Sequence, residues 1–426
     1  MDRRAGIVVT GTEVLIGLVS DRNGPWLAEQ LRLVGVDVGH ILVVGDRRTD
    51  LRDSLAFLAS ADVDLVITSG GLGPTADDLT AEVVAEFQGR PLQLDTELQG
   101  RISEIVARLS AARGWRLDPD ATARATRKQA LVPRGASVLA PVGTAPGLVV
   151  PAADGHTAPP VLVLPGPPWE LQAMWPEGLR DPVVAAALAG REPLRQRTMR
   201  LWGIPESELA ATLRGSPSQL SGLEITTCLR GGELEIVTRY RDAAEPAYTQ
   251  LEAAISAAHT DALFSPDGRT IDEIVADGLR GENLTIATAE SCTGGLLAGR
   301  LTERSGSSDY VLGGLVVYSN AAKHQLAGVP KELIERIGAV SAEVAQALAS
   351  GDRTRLAATI GVGITGVAGP GGGSADKPVG LVYLCADRDG RSVTRRINVP
   401  GSRTDIRNRA VVTAMHMIRE LLLPAT

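Results

Sequence analysis

A recurring local pattern constrains this chain more than any other feature. A short run rich in β-branched apolar residues is followed by glycines and then by a segment with helical spacing. The run at 6–10 leads into GTEVLIG (11–17), and that at 63–68 leads into SGGLGPTADDLT (69–80). The pattern returns at 284–288, ahead of TAESCTGG (288–295), and at 358–365, ahead of TGVAGPGGGSADKPVG (365–380). Such runs read as buried strands, and the helices between them give an α/β fold. Open α/β sheets collect ligands at strand ends, so the glycine turns are where chemistry is expected.

The alternation divides the chain into three parts. Residues 1–178 hold strands at 6–10, 36–44, 63–68 and 161–164, with helices at 23–34, 50–61, 77–88, 94–113 and 119–130. A small α/β subdomain at 192–262 has strands at 198–202 and 233–239 and helices at 205–213 and 247–258; it shows no chemistry of its own. A third domain at 268–424 has strands at 284–288, 311–318, 358–365, 379–386 and 393–399, with helices at 343–350 and 405–422.

Composition removes several function classes. The net charge is -7 and aromatic residues make up 3%, which argues against direct contact with nucleic acid or an anionic membrane. The longest apolar runs, such as 182–189, are too short to cross a bilayer. Glu13 interrupts the apolar start and no small-residue cleavage site follows, which favours a buried strand and turn over a signal peptide. Cys228, Cys292 and Cys385 lie too far apart to make a disulfide framework or a zinc site unaided. A reduced, cytoplasmic protein is expected. Basic residues comprise 39 Arg and only four Lys: Lys128, Lys323, Lys331 and Lys377.

In the first domain, Gly70, Gly71 and Gly73 let the backbone turn and aim N–H groups at an anion, and the following helix start adds partial positive charge. Asp77 and Asp78 would repel a bare phosphate, a conflict resolved by a divalent metal bridging the carboxylates and a diphosphate. The simpler alternative is a tight turn with an aspartate cap. GTEVLIG (11–17) and GTAPG (143–147) provide two further glycine turns at strand ends.

In the third domain, Ser291 sits at a strand-to-helix junction before Gly294 and Gly295, where a hydroxyl can lie beside oxyanion-stabilising N–H groups. An ordinary N-cap is the alternative. A hydroxyl nucleophile needs a base. His324 lacks partners, whereas Lys323 closes YSNAAK (318–323) and can serve if desolvation lowers its pKa. A chain that prefers Arg 39 to 4 uses Lys where Arg cannot substitute, because an amine can lose its proton near neutrality. The loop at 365–380, with five glycines in its first nine residues and Lys377 at its close, can wrap a phosphate. Arg403, at the start of the last helix, can clamp a phosphate or carboxylate.

These motifs resemble the CinA family over essentially the whole chain. The segments at 11–17 with Asn23, at 70–80, 143–147 and 164–174 are similar to its amino-terminal domain, which is of the MoaB and MogA type. That resemblance implies a three-layer fold and divalent-metal-dependent cleavage of ADP-ribose, with Mg, Mn or Co as cofactor. It places Asp77 and Asp78 at the acidic pair that holds the metal, Glu13 at the acidic position after the first strand, and Asn23 at the motif amide. Gly70, Gly71, Gly73 and Thr75 complete the diphosphate site. Ala76 and Trp169 depart from the commoner polar and basic residues. The set SCTGG, YSN-x-x-K, G-x-AGP-x-GG and KPVG is similar to the family's nicotinamide mononucleotide deamidase domain.

The resemblance implies Ser291 as nucleophile, Lys323 as base, Tyr318 orienting or relaying the proton, and Arg403 as phosphate ligand. Thr293, Gly294 and Gly295 would hold the oxyanion. Gly366, Ala368, Gly369, Gly372, Gly373 and Lys377 would bind substrate, without a metal. Cys292 is the rival nucleophile. The expected function is a nicotinamide mononucleotide amidohydrolase fused to an ADP-ribose pyrophosphatase, acting as a homodimer in pyridine nucleotide recycling. The alternatives are a non-catalytic competence- or DNA-damage-associated adaptor and a molybdopterin-binding protein.

Overall fold

A computed structural model describes residues 3–215 and 220–423; residues 1–2 and 424 of the expected outer domains, and 216–219 of the middle one, lie outside the described residues. Two units part between Arg195 and Gln196.

The first unit contains β1 (Arg3–Thr10), β2 (Val36–Val44), β3 (Leu65–Ser69), β4 (Leu92–Leu94), β5 (Leu131–Pro133), β6 (Ser137–Leu139), β7 (Gly147–Val150) and β8 (Val161–Leu164). Six of them form one sheet in the order β2-β1-β3-β8-β7-β6, and β4 pairs with β5 apart from it. Pairing is parallel from β2 through β8 and antiparallel from β8 through β6. Strand alternation sends side chains to two cores. Ile7 and Val9 pack with Leu27 and Leu31 of the helix Asn23–Leu33 and with Met174 and Trp175 of the helix Pro168–Arg180. Val8 and Val66 pack on the other face with Leu51, Leu55 and Leu58 of the helix Arg48–Ser60 and Val83 of the helix Thr80–Phe87. Each such side chain contributes about 1.5–3 kcal/mol on burial. The result is the three-layer MoaB/MogA-like arrangement, with glycine turns following β1 and β3.

One boundary matters for function. Helical spacing predicts a helix from 77, but it begins at Thr80. Asp77 and Asp78 stay in the preceding loop because Thr75 draws both carboxylates onto its hydroxyl.

The second unit has two sheets. β9 (Arg195–Trp202), β10 (Leu223–Arg230), β11 (Glu233–Tyr240) and β12 (Leu263–Ser265) lie in the order β10-β11-β9-β12. The helices Glu206–Arg214 and Glu245–Ala258 close its core through Leu209, Leu251 and Ile255. β10 is not evident from sequence because its residues are largely exposed or half-buried and offer little apolar signal. The second sheet comprises β13 (Ile286–Glu290), β14 (Val311–Val316), β15 (Ile360–Gly366), β16 (Leu381–Arg388) and β17 (Arg391–Asn398), in the order β14-β13-β15-β16-β17. β13 is parallel to both neighbours.

Two expected strands shift. The run at 284–288 becomes β13 at Ile286–Glu290, since the Leu284 N–H closes the preceding helix on Leu279 O at 2.8 Å. The run at 311–318 ends at Val316, which turns the carbonyls of Val317 and Tyr318 toward Lys323.

Alternation along β15 explains the packing of this sheet. Ile360, Val362 and Ile364 enter the core formed with the helices Ile271–Gly281 and Arg403–Leu422. Gly361 and Gly363 face the helix Ala342–Arg355, whose backbone lies so close that a Cβ on Gly363 would meet Ala345 O at 2.1 Å. Glycine here permits close helix–sheet contact. Gly363→Ala should therefore lower the urea-unfolding free energy of this unit by about 3 kcal/mol, as overpacked cores do; a loss under about 1 kcal/mol would contradict the contact.

Candidate functional site

β13 delivers Ser291 to the carboxyl end of its sheet, and the Ser291 N–H donates to Ile364 O at 2.9 Å, extending the parallel pairing. The chain then turns through Gly294 and Gly295, both with left-handed φ, into the helix Leu296–Thr302. Ser291 is 8% exposed and Lys323 2% exposed. Lys323 sits in the first turn of the helix Asn320–Ala327, which Ser319 caps through the Ala322 N–H.

The Lys323 Nζ has three neighbours: Ser291 Oγ at 3.0 Å, Val317 O at 2.9 Å and Tyr318 O at 3.1 Å. Two are carbonyls, which only accept; the third is a hydroxyl, which can also donate. A neutral amine, with two N–H donors and one lone pair, can bond both carbonyls and accept from the hydroxyl, while an ammonium can donate to all three. Burial pushes the Lys323 pKa below lysine's ordinary 10.5, the neighbouring Cys292 acting in the opposite direction. Among the described residues no carboxylate is paired with it. The arrangement can take a proton from Ser291. Cys292 has the opposite character: burial pushes its thiol up to about 11, so it is held protonated.

The buried carboxylate of Glu290 organises the turn. It accepts from the N–H groups of Gly295 (3.1 Å), Leu297 (3.1 Å) and Ala298 (2.8 Å) and from the Thr288 hydroxyl (3.4 Å). Gly294 N–H donates to Ser291 O at 3.1 Å. This corrects the expectation that Gly294 and Gly295 supply oxyanion donors, because both N–H groups are already engaged. The N–H groups of Cys292 and Thr293 point instead toward the Cys292 sulfur, a weaker acceptor than a carbonyl or carboxylate. The Thr293 side chain is fully buried. Glu290 adjoins Ser291 in the motif, but nothing in the sequence marks its carboxylate as spent on backbone.

Tyr318 also differs from expectation. Its side chain is 61% exposed, and its hydroxyl accepts from Arg403 Nη2 at 3.0 Å while Lys323 bonds only its carbonyl. A proton relay through that hydroxyl has no contact to run through; its partner is the Arg403 guanidinium. Arg403 Nη1 in turn donates to Gly369 O at 2.8 Å, joining the last helix to the glycine loop. One turn further on, Arg407 Nη2 donates to Thr293 O at 2.8 Å. Arg407 escaped sequence reading because it looks like any exposed helix arginine.

Within the loop, Gly366 packs against Leu381 O, Ala368 is buried, and Gly369 and Gly373 lie against Val379. Gly372 faces open space and is free to approach a ligand. The Lys377 Nζ donates to Ile337 O at 2.7 Å, which tethers the close of the loop.

The first unit holds a pocket of about 350 Å³ at the ends of β1 and β3, lined among others by Glu13, Gly70, Gly71, Gly73, Thr75, Asp77 and Asp78. The sequence-predicted residues thus converge, with one exception. Asn23 lines an adjoining pocket of about 450 Å³ that shares Thr10, Glu13, Gly166 and Pro167 with the first. Its amide donates to Ser69 Oγ (2.8 Å) and Gly166 O (2.6 Å), tying strand ends together. Asp46 and Glu170 also line the first pocket and were not anticipated. Burial raises the Glu170 pKa, opposed by a hydrogen bond from the Gly143 backbone.

The Thr75 hydroxyl donates to Asp77 Oδ1 and Asp78 Oδ2 at 2.5 Å each, and holds the Asp77 carboxyl below its usual range. Among the described residues no group of three or more His, Cys, Asp or Glu forms a metal cluster. The pair fits an ion that draws its other ligands from phosphate and water, and does not fit a closed protein cage.

Since the lowered Lys323 pKa means the unfolded chain binds the proton more tightly, this residue's stability contribution is full above 10.5 and falls as pH drops through the lowered value. Unfolding free energies of wild type and Lys323→Met in urea should diverge in favour of wild type as pH rises toward 10.5, by up to about 1.4 kcal/mol per pH unit. Parallel pH dependences would refute a depressed amine.

Residues 6–185 match the family described as "Probable molybdopterin binding domain", and residues 268–422 that described as "CinA C-terminal domain". The chain is 55% identical over 426 residues to a CinA-like protein of Mycobacterium sp. (strain JLS), covering 99% of each chain. It is 54% identical over 426 residues to one of Mycobacterium marinum (strain ATCC BAA-535 / M), covering 98% of each. A solved structure of the competence/damage inducible protein CihA from Agrobacterium tumefaciens is 42% identical and covers 35% of this chain and 94% of its own, with a TM-score of 0.35. With both domain families matched in order and relatives this similar along their whole length, the chain belongs to the CinA family.

Proposed function

We propose that the second unit hydrolyses the carboxamide of nicotinamide mononucleotide to nicotinate mononucleotide and ammonia. The observation that carries this reading is the buried contact of Lys323 Nζ with Ser291 Oγ at 3.0 Å. Ser291 Oγ attacks the amide carbon as its proton passes to Lys323. The oxyanion meets the N–H groups of Cys292 and Thr293, each such donor being worth about 3 kcal/mol. Collapse of the tetrahedral adduct breaks the C–N bond, and the amine leaves as ammonia with the proton from Lys323. Water, deprotonated by the same amine, then releases the carboxylate from Ser291. Arg403 and the open side of the loop at Gly372 grip the 5′-phosphate, so that binding energy far from the amide positions it.

The first unit cleaves a diphosphate of the ADP-ribose type. Asp77 and Asp78 would hold a divalent ion, Mg, Mn or Co, whose positive charge would offset that of the diphosphate. The N–H groups of Gly71 and Gly73 orient the phosphates, that of Gly70 being bonded to Leu164 O, and Thr75 fixes the two carboxylates side by side.

Ammonia release from nicotinamide mononucleotide tests the first activity. Ser291→Ala should abolish it, Lys323→Arg should lower it at least about a hundredfold, and Cys292→Ser should retain it. Equal release by wild type and Ser291→Ala would end the serine mechanism. For the first unit, phosphate-ester products from ADP-ribose should vanish with EDTA and with Asp78→Ala; persistence under both treatments would remove the metal from the account.

A further inference from the structure

The helix Pro119–Gln129 buries only Thr126 and Gln129, so it adds little to the core. Its last two residues instead reach the loop at 70–78. The buried Gln129 Nε2 donates to Leu72 O at 3.1 Å, and the Lys128 Nζ donates to Thr75 O. Two consecutive side chains thus pin two carbonyls of one loop. Between and beside those carbonyls lie the glycines that face the pocket and the acidic pair. Thr75 carries the restraint onward, since its hydroxyl and N–H bond the two aspartates. A loop with three glycines has many conformations to lose, and holding it ready lowers the entropy cost of binding.

We propose that Lys128 is the positioning residue of the amino-terminal diphosphate site, acting through Thr75 to hold Asp77 and Asp78 for a divalent ion, with Gln129 as a second strut. The inference rests on the diphosphate reading of that loop. It separates two kinds of basic residue at the end of this helix. Arg127 is an exposed last-turn cation of the ordinary kind, which the helix dipole favours anywhere. Lys128 has a specific acceptor on a functional loop, and its ammonium adds to the Thr75 hydroxyl in lowering Asp77.

The test uses the full chain and Mn²⁺ as probe, with free ion read by electron paramagnetic resonance in the presence of AMP. Lys128→Met, which keeps the stem and deletes the donor, should weaken Mn²⁺ binding about tenfold, the usual effect of losing an outer-shell partner. Gln129→Met should weaken it in the same direction, and Lys128→Arg should restore most of the loss. With ADP-ribose, Lys128→Met should lower kcat about tenfold while KM stays within about twofold. Thermal midpoints of the Lys128 variants should match wild type, since the helix contributes little core, while Gln129→Met, which removes a buried hydrogen bond, should lower its own. Mn²⁺ binding by Lys128→Met as tight as wild type would overturn the proposal, as would no Mn²⁺ binding by wild type. If Mn²⁺ binding depends on Lys128 but wild type does not cleave ADP-ribose, the positioning role stands and the substrate reading falls.

Discussion

The contact between Lys323 and Ser291 is the interaction on which the second unit's chemistry depends, and much of the surrounding architecture serves to create it. A lysine at 2% exposure is unfavourable unless it is neutral or paired. Here two carbonyls from the end of β14's strand run and one serine hydroxyl surround it, with no counter-charge among the described residues. That environment pushes the amine toward its neutral form, and a neutral amine beside a hydroxyl is a base. The adjacent Cys292 experiences the same desolvation, which in its case suppresses reactivity. One low-dielectric pocket therefore activates the amine and silences the thiol.

The helix Arg403–Leu422 links this centre to the rest of its unit. Its first turns hold Arg403 on the glycine loop and Arg407 on the nucleophile turn. Its middle, Ala410 to Ile418, is buried on all sides, and its polar exceptions are specific. His416 Nε2 lies 2.7 Å from Glu233 Oε1 and stacks on Trp202 at 4.1 Å, while Arg409 donates to Gly231 O at 2.6 Å. The same rigid element that presents the phosphate clamp is thus anchored to the four-stranded sheet. The small subdomain, featureless as sequence, acquires a structural role through these contacts.

Much of this was legible in the amino-acid order, for physical reasons that differ by site. β-branched runs identified β1, β3, β8, β13 and β15 because burial on both faces leaves few polar positions to confuse the pattern, whereas the short strands β4 to β7 and β12 were missed. The scarcity of lysine pointed to Lys323 because arginine cannot deprotonate. The same scarcity gave no role to Lys128, whose acceptor lies 53 residues away along the chain, and did not show that Lys377 braces a loop against Ile337 O. Glu290 was overlooked and the Tyr318 hydroxyl was misplaced for a related reason. Sequence shows which groups a motif contains, but not which of their donors and acceptors the fold has already used. The start of the helix after Asp78 fell to the same blindness, since Thr75 competes for those carboxylates only once the turn exists.

The most direct test of the central claim is the pH profile of kcat/KM for ammonia release from nicotinamide mononucleotide. If neutral Lys323 is the base, the rate rises with unit slope to a midpoint below lysine's ordinary 10.5 and is flat above it, and the residual rate of Lys323→Met lacks that limb. A midpoint at or above 10.5, or an acid limb that survives in Lys323→Met, would show that the proton goes elsewhere.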